Sequence, residues 1–364
     1  MEVGRKELII KALSTVQDPD LKQDLVTLGM IRDVAMGNGY VQFTLALTTP
    51  ACPFQAMLKK ACEAAIHAYV DADLVVEITV TSQVTSTRNQ EPILPQVKNI
   101  IAIASGKGGV GKSSVATNVA VALAKHGAQA GLLDADIFGP SIPTMFGCED
   151  QKPQVIQEDN KQYLLPLEVH GVKILSIGFL APPDKAIVWR GPMASSALRQ
   201  MLSAAWGALD YLLIDLPPGT SDIHLTLVQA VPVTGVVIVT TPQKIALVDA
   251  IKGMAMFQKS AINVPILGLV ENMAYFVPDE LPNRRYYLFG KEGGKDLARE
   301  YQVPFLGQIP LIEGIREGGD QGIPGVLQAG PIADAFNQVA IKIAQQIAIR
   351  NAQLAPTQQV QRTS

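Results

Sequence analysis

The sequence predicts an α/β protein. Its larger part is a doubly wound, mostly parallel sheet, and its front is a small α+β domain. Three observations carry this. Seven short apolar, β-rich runs recur between residues 98 and 350, most of them separated by helical segments. The runs do not alternate, which is the pattern of strands buried on both faces by covering helices. Ahead of them, residues 1–82 change periodicity in the order α-β-β-α-β.

Taken in order, residues 5–16 have helical spacing. Residues 29–35 and 40–47 alternate as strands about the turn Gly37-Asn38-Gly39, residues 53–69 read as a helix, and 74–82 as a further strand. Residues 83–97 are polar, carry two prolines and read as a linker. The large domain then spans 98–350 and closes on a helix at 332–349. The polar residues 351–364 are expected to be a disordered tail.

With 48% apolar and 17% charged residues, a large buried core is possible. A net charge of −3 lacks the basic footprint of nucleic-acid binding. The start of the chain mixes charge into its apolar run and shows no cleavage site, and no stretch approaches the ~18 apolar residues of a spanning helix. A cytoplasmic protein with no nucleic-acid or membrane partner is expected. Three cysteines, Cys52, Cys62 and Cys148, give no disulfide framework.

After the first strand of the large domain comes Gly106-Lys107-Gly108-Gly109-Val110-Gly111-Lys112-Ser113-Ser114. This satisfies G-x-x-x-x-G-K-[ST], the phosphate-binding loop of P-loop NTPases. Small residues let main-chain N–H groups curl round phosphate oxygens, and the following helix points its positive end at the anion. Lys112 is expected to reach the β- and γ-phosphates of ATP, and Ser113 to ligate Mg²⁺. Asp215 ends the run YLLIDLP and is the expected second anchor for Mg²⁺. Asp136, in Asp134-Ala135-Asp136, is the candidate for positioning the attacking water, because the IFGPS that follows reads as a mobile switch. Gly219 is expected to offer its N–H to the γ-phosphate.

Together these segments resemble the Mrp/ApbC-type iron–sulfur scaffold and carrier family, within the group that also holds MinD and ParA. The matching stretches include SGKGGVGKSSVATNVAVALA (105–124), LLDADIFGPSIPTMFG (132–147), YLLIDLPPGTSDIHLTL (211–227) and GLVENMAYF (268–276). The resemblance implies a homodimer that binds ATP, hydrolyses it slowly and passes a [4Fe–4S] cluster to apo-protein clients. It also implies that Lys107 crosses to the partner's nucleotide, and that Asn272 contacts adenine.

The front domain resembles the PaaD/SufT-like assembly domain through Asp18-Pro19-Asp20, Leu28-Gly29-Met30 and Thr48-Thr49-Pro50-Ala51-Cys52-Pro53. Cys52 stands just before a helix, whose N-terminus favours the thiolate, so it is a candidate iron–sulfur ligand.

Members of the family usually carry Cys-x-x-Cys shortly after the Glu271-Asn272-Met273 position. Here residues 275–287 contain no cysteine, and none follows Cys148. Cys148 is open to two readings, a ligand or a loop or core thiol. Asp279, Glu280, Arg284 and Arg285 read either as a docking loop or as a solvated connection, and Trp189 either as part of a dimer face or as core. Two other functions compete with the carrier. One is a nucleotide-dependent adaptor that ligates no cluster. The other, a MinD- or ParA-like positioning ATPase, ranks lower because the last helix carries only Lys342 within it.

Overall fold

A computed structural model describes residues 2–88, 92–158, 160–180, 191–278, 281 and 284–360. Contacts divide the chain into two compact units, residues 1–85 with 348–354 and residues 86–347 with 355–364.

The first unit contains α1 (Glu2–Leu13), β1 (Ile31–Gly37), β2 (Tyr40–Leu47), α2 (Gln55–Tyr69) and β3 (Val75–Ser82). β2 lies in the middle of the sheet, antiparallel to β1 and parallel to β3. Val41, Phe43 and Leu45 alternate inward from β2 and meet Leu58, Cys62 and Ile66 of α2. Cys62 is therefore core, a small apolar residue in a packed helix.

The second unit is the doubly wound sheet. Its strands are β4 (Val97–Ala104), β5 (Ala130–Asp134), β8 (Leu167–Val169), β9 (Val172–Ser176), β10 (Leu209–Asp215), β11 (Gly235–Thr240), β12 (Ile266–Glu271) and β13 (Phe305–Gln308). They lie in the order β13-β12-β11-β4-β10-β5-β9-β8, all parallel except the edge strand β8. A separate hairpin pairs β6 (Gln154–Glu158) with β7 (Lys161–Leu165). The helices are α3 (Lys112–Lys125), α4 (Ile142–Met145), α5 (Gly191–Leu202), α6 (Asp222–Ala230), α7 (Lys244–Gln258), α8 (Gly293–Glu300), α9 (Glu313–Asp320) and α10 (Pro331–Gln353).

Ile100, Ile101, Ala102 and Ile103 of β4 are all fully buried, so side chains on both faces of the strand are covered. From β4 the chain passes to one side for β5, and later strands fill the other side from β11 onward. That reversal puts a crevice at the C-terminal end of β4, where open α/β sheets bind ligands.

The ends of the large domain differ from expectation. Residues 351–360 are not simply disordered, because α10 runs to Gln353 and the Val360 N–H donates to the Val228 carbonyl at 3.0 Å. Gln359 also donates to the carbonyls of Gln229 and Ala230, which α6 leaves without helical partners. The linker is partly anchored as well. The Ser86 hydroxyl donates to the Lys98 carbonyl at 2.6 Å, and Leu94 is buried.

Candidate nucleotide site

Between β4 and α3 the main chain turns sharply, with Gly109 at φ 81° and Gly111 at φ 78°. Only glycine adopts this left-handed region freely. Gly106 is required for a different reason, since a Cβ there would lie 2.1 Å from the Asp249 carbonyl carbon of α7. No side chain caps α3 at Gly111, so its first N–H groups are free for an anion. The resulting cleft is lined by Lys107, Gly108, Gly109, Val110, Gly111, Lys112, Ser113, Ser114, Asp136 and Pro218, among others. Gly106 supports the loop from α7 and does not line the cleft.

Lys112 is the electrostatic centre. Its Nζ lies 2.6 Å from Asp215 Oδ1 and 3.3 Å from Asp136 Oδ2, with 6% exposure. Burial pulls its pKa down, but Asp215 and Asp136 outweigh burial and hold it above the ordinary value. Ser113 Oγ donates to Asp215 Oδ2 at 2.5 Å. Burial raises the pKa of Asp215, against the opposing pull of Lys112. Asp134 is pushed up to about 7, first by burial and then by the charge of Asp215. The Lys107 side chain forms no ion pair among the described residues.

These donors fit Mg²⁺. Ser113 and Asp215 offer hard oxygens side by side, and a phosphate-bound magnesium needs only one or two protein ligands. Among the described residues no group of three or more His, Cys, Asp or Glu could hold a metal ion.

Several sequence expectations meet a different geometry. The Gly219 N–H donates to the Ser105 carbonyl at 2.8 Å instead of facing the cleft. Asn272 Nδ2 donates to the Val110 carbonyl at 2.9 Å, so its amide braces the phosphate loop. Asn272 also lines a second cleft, which shares Gly111, Ser114, Ser141 and Met145 with the first and continues to Pro310, Ile312 and Arg316.

At Cys52 other forces oppose the helix end. Burial raises its thiol, and Asp18 and Asp20 raise it further, so the N–H groups of Phe54 and Gln55 at the start of α2 do not prevail. Cys148 is 1% exposed and pushed up to about 11 by burial. Where the cysteine pair would stand, Phe276 and Tyr286 exchange main-chain hydrogen bonds at 2.8 Å. The Arg285 guanidinium stacks 4.3 Å from the centre of the Tyr275 ring, an attractive cation–π contact. Trp189, Arg190, Asp279 and Glu280 lie outside the described residues.

His224 fills a structural place at the start of α6, where its Nδ1 meets Ser221. Burial drives its pKa down to about 4 from 6.5. The folded value lies below the unfolded one, so its contribution to stability is complete above pH 6.5 and is lost as pH falls toward 4. Asp134 acts in the opposite sense over an overlapping window, since its folded value lies above 3.8. We therefore predict that His224→Gln flattens the acid side of the stability profile. Thermal midpoints of both proteins between pH 7 and 4 check this, and parallel curves would refute it.

Sequence reading missed two residues, Asp134 as a buried acceptor and Ser176. The available signal was a polar residue closing a strand after an apolar pair, as Ser176 does in VKILS.

A parallel sheet, a glycine-lined turn into a helix, and a lysine between two strand-end aspartates together define a P-loop NTPase. Residues 96–348 match the model of the NUBPL iron-transfer P-loop NTPases, and residues 6–81 match that of an iron–sulfur cluster assembly protein. The chain belongs to the iron-transfer P-loop NTPase family. An iron–sulfur cluster carrier protein of Synechocystis is 50% identical over 94% of this chain and 96% of its own length. One from Escherichia coli K12 is 42% identical over 94% and 92%. An ADP-bound nucleotide-binding protein from Archaeoglobus fulgidus superposes with a TM-score of 0.57 at 38% identity, covering 67% of this chain and 95% of that one.

Among the described residues no helix is long and apolar enough to cross a membrane.

Proposed function

We propose that this protein is an ATP-driven carrier that takes up a [4Fe–4S] cluster as cargo and delivers it to apo-protein clients, working as a homodimer in the cytoplasm. The observation that carries the ATPase part is Lys112, buried between Asp215 and Asp136 at the mouth of a ring of main-chain amides. The carrier part rests on the relatives, which bear that role in their names.

When ATP enters, the N–H groups of 107–114 wrap its phosphates, and Lys112 moves from Asp215 toward the β- and γ-oxygens. Ser113 and Asp215 would hold Mg²⁺, which when bound would supply positive charge beside the phosphates. Asp136 accepts a hydrogen bond from the attacking water. Asn272, which lines the second cleft, would contact the base. Gly219 can donate to the γ-phosphate only after releasing Ser105. Lys107 forms no ion pair among the described residues, and in a dimer it would reach a partner's nucleotide.

The cluster ligands follow from accessibility. Cys62 and Cys148 are buried, so Cys52 is the one partly accessible thiol of the three. A [4Fe–4S] cluster takes four thiolates. Two copies of this chain supply two, and the client or a small thiol supplies the rest.

Anaerobic reconstitution with iron, sulfide and a small thiol tests this. The expected results are the broad visible absorption of a [4Fe–4S] cluster and transfer to an apo-protein, both lost in Cys52→Ala with ATP binding intact. A wild-type protein that takes up no cluster while its ATPase is intact would instead establish the adaptor reading, which the absence of cysteine from residues 275–287 favours.

A further inference from the structure

No step above uses the Asp134 carboxylate, yet it is fully buried and receives donors from three directions. The Ser176 hydroxyl donates to Oδ2 at 2.8 Å, the Ile142 N–H to Oδ2 at 3.3 Å, and the Asp136 N–H to Oδ1 at 3.1 Å. Ser176 and Asp134 are register partners at the C-terminal ends of the parallel strands β9 and β5. Ser176 Oγ in turn accepts from the Gly178 N–H at 2.9 Å. A hydroxyl has one proton to give, and here it goes to the carboxylate. From Asp134 the contacts lead on to Asp136. Its Oδ1 accepts from the Phe138 N–H at 3.2 Å, and its Oδ2 faces Lys112 Nζ at 3.3 Å.

We infer that Ser176 is a positioning residue for ATP cleavage, acting through Asp134 to fix the main chain that aims Asp136 into the phosphate cleft. The inference rests on the ATPase reading above. Both ends of the switch residues 137–141 are tied to Asp134, through the N–H groups of Asp136 and Ile142. Without the Ser176 hydroxyl a buried carboxylate oxygen lacks its shortest donor, and the switch shifts to relieve that cost. Misplacing a reacting group by even ~1 Å lowers rate by up to about 100-fold. Ser176 does not line the phosphate cleft, so affinity for the nucleotide is left alone.

The test compares Ser176→Thr with Ser176→Val in the full-length protein, because the two side chains have nearly the same shape and differ in the hydroxyl. Turnover of Mg·ATP and affinity for a non-hydrolysable ATP analogue are measured for both. The expected result is a kcat for the valine variant about tenfold below that of the threonine variant, with analogue affinities within about twofold. Equal turnover in the two variants overturns the inference, and so does an equal loss of affinity and turnover in the valine variant. If either variant fails to fold, Ser176→Ala, Asp134→Asn and their double variant decide it. Losses that do not add support the relay, and additive losses overturn it. A wild-type chain that does not turn over ATP overturns both this inference and the ATPase reading. A wild-type chain that does, with equal threonine and valine variants, overturns this inference alone.

Discussion

Lys112→Ala should reduce ATP turnover by about 10³-fold, to near background, because one charge serves both the ground state and the transition state. In the free protein that charge neutralises Asp215 at 2.6 Å and Asp136 at 3.3 Å. With nucleotide bound it would face the oxygens that gain charge as the phosphoryl group leaves. The substitution also leaves two buried carboxylates, with Asp134 close by, and no cation among them, and breaking a buried pair in this way costs ~3–5 kcal/mol. Part of that cost is relieved by protonation. The folded pKa of Asp215, already raised by burial, loses the partner that lowers it. A folded value above the unfolded one means that stability is lost as pH rises. The nucleotide-free variant should therefore melt higher at pH 5 than at pH 8, relative to wild type. Steady-state phosphate release and melting curves at the two pH values check both halves. Ordinary turnover in Lys112→Ala would remove the site assignment.

Much of the fold was legible because burial on both faces leaves a one-dimensional trace. A parallel strand such as β4 is apolar at nearly every position, and nothing remote has to be known to recognise it. The phosphate loop was legible for a similar reason, since its glycines answer to backbone geometry within nine residues. The β6–β7 hairpin was not. It is largely exposed, so its residues leave neither an alternating nor a continuous apolar pattern. The docked end of the chain was hidden too, because Gln359 and Val360 are ordinary polar-tail residues until α6 presents open carbonyls to them.

The parts of the site that went unread depend on neighbours far along the chain. The position of Cys52 before a helix pointed to a thiolate, but its burial and two aspartates from residues 18–20 act in the other direction. Gly219 was assigned to a phosphate, and in the free protein its N–H has a local acceptor. Asn272 was assigned to adenine, and its bond to Val110 places the amide under the loop. Asp134 and Ser176 become a pair only once β9 lies beside β5.

Gly106→Ala should be strongly damaging. The added Cβ would lie 2.1 Å from the carbonyl carbon of Asp249, 2.2 Å from its oxygen and 2.4 Å from the Ala250 nitrogen. All three belong to the main chain of α7, so no side chain can swing away. Either the loop lifts from α7 or the helix withdraws, and both displace the amides that hold phosphate. Overpacking of this kind against backbone should cost more than ~3 kcal/mol, and ATP binding should weaken by at least about 100-fold. Gly253, in the middle of the same helix, supplies the control. A Cβ there finds its nearest neighbour, the Gly106 nitrogen, at 4.0 Å. Replacing a helical glycine with alanine removes backbone entropy from the unfolded chain, so Gly253→Ala should stabilise by ~0.5–1 kcal/mol and bind ATP as wild type does. The same methyl group, added on either side of one helix–loop contact, should thus act with opposite signs. Denaturant titration and calorimetry with Mg·ATP measure both variants. Equal stability and affinity in the two would show that α7 does not brace the phosphate loop.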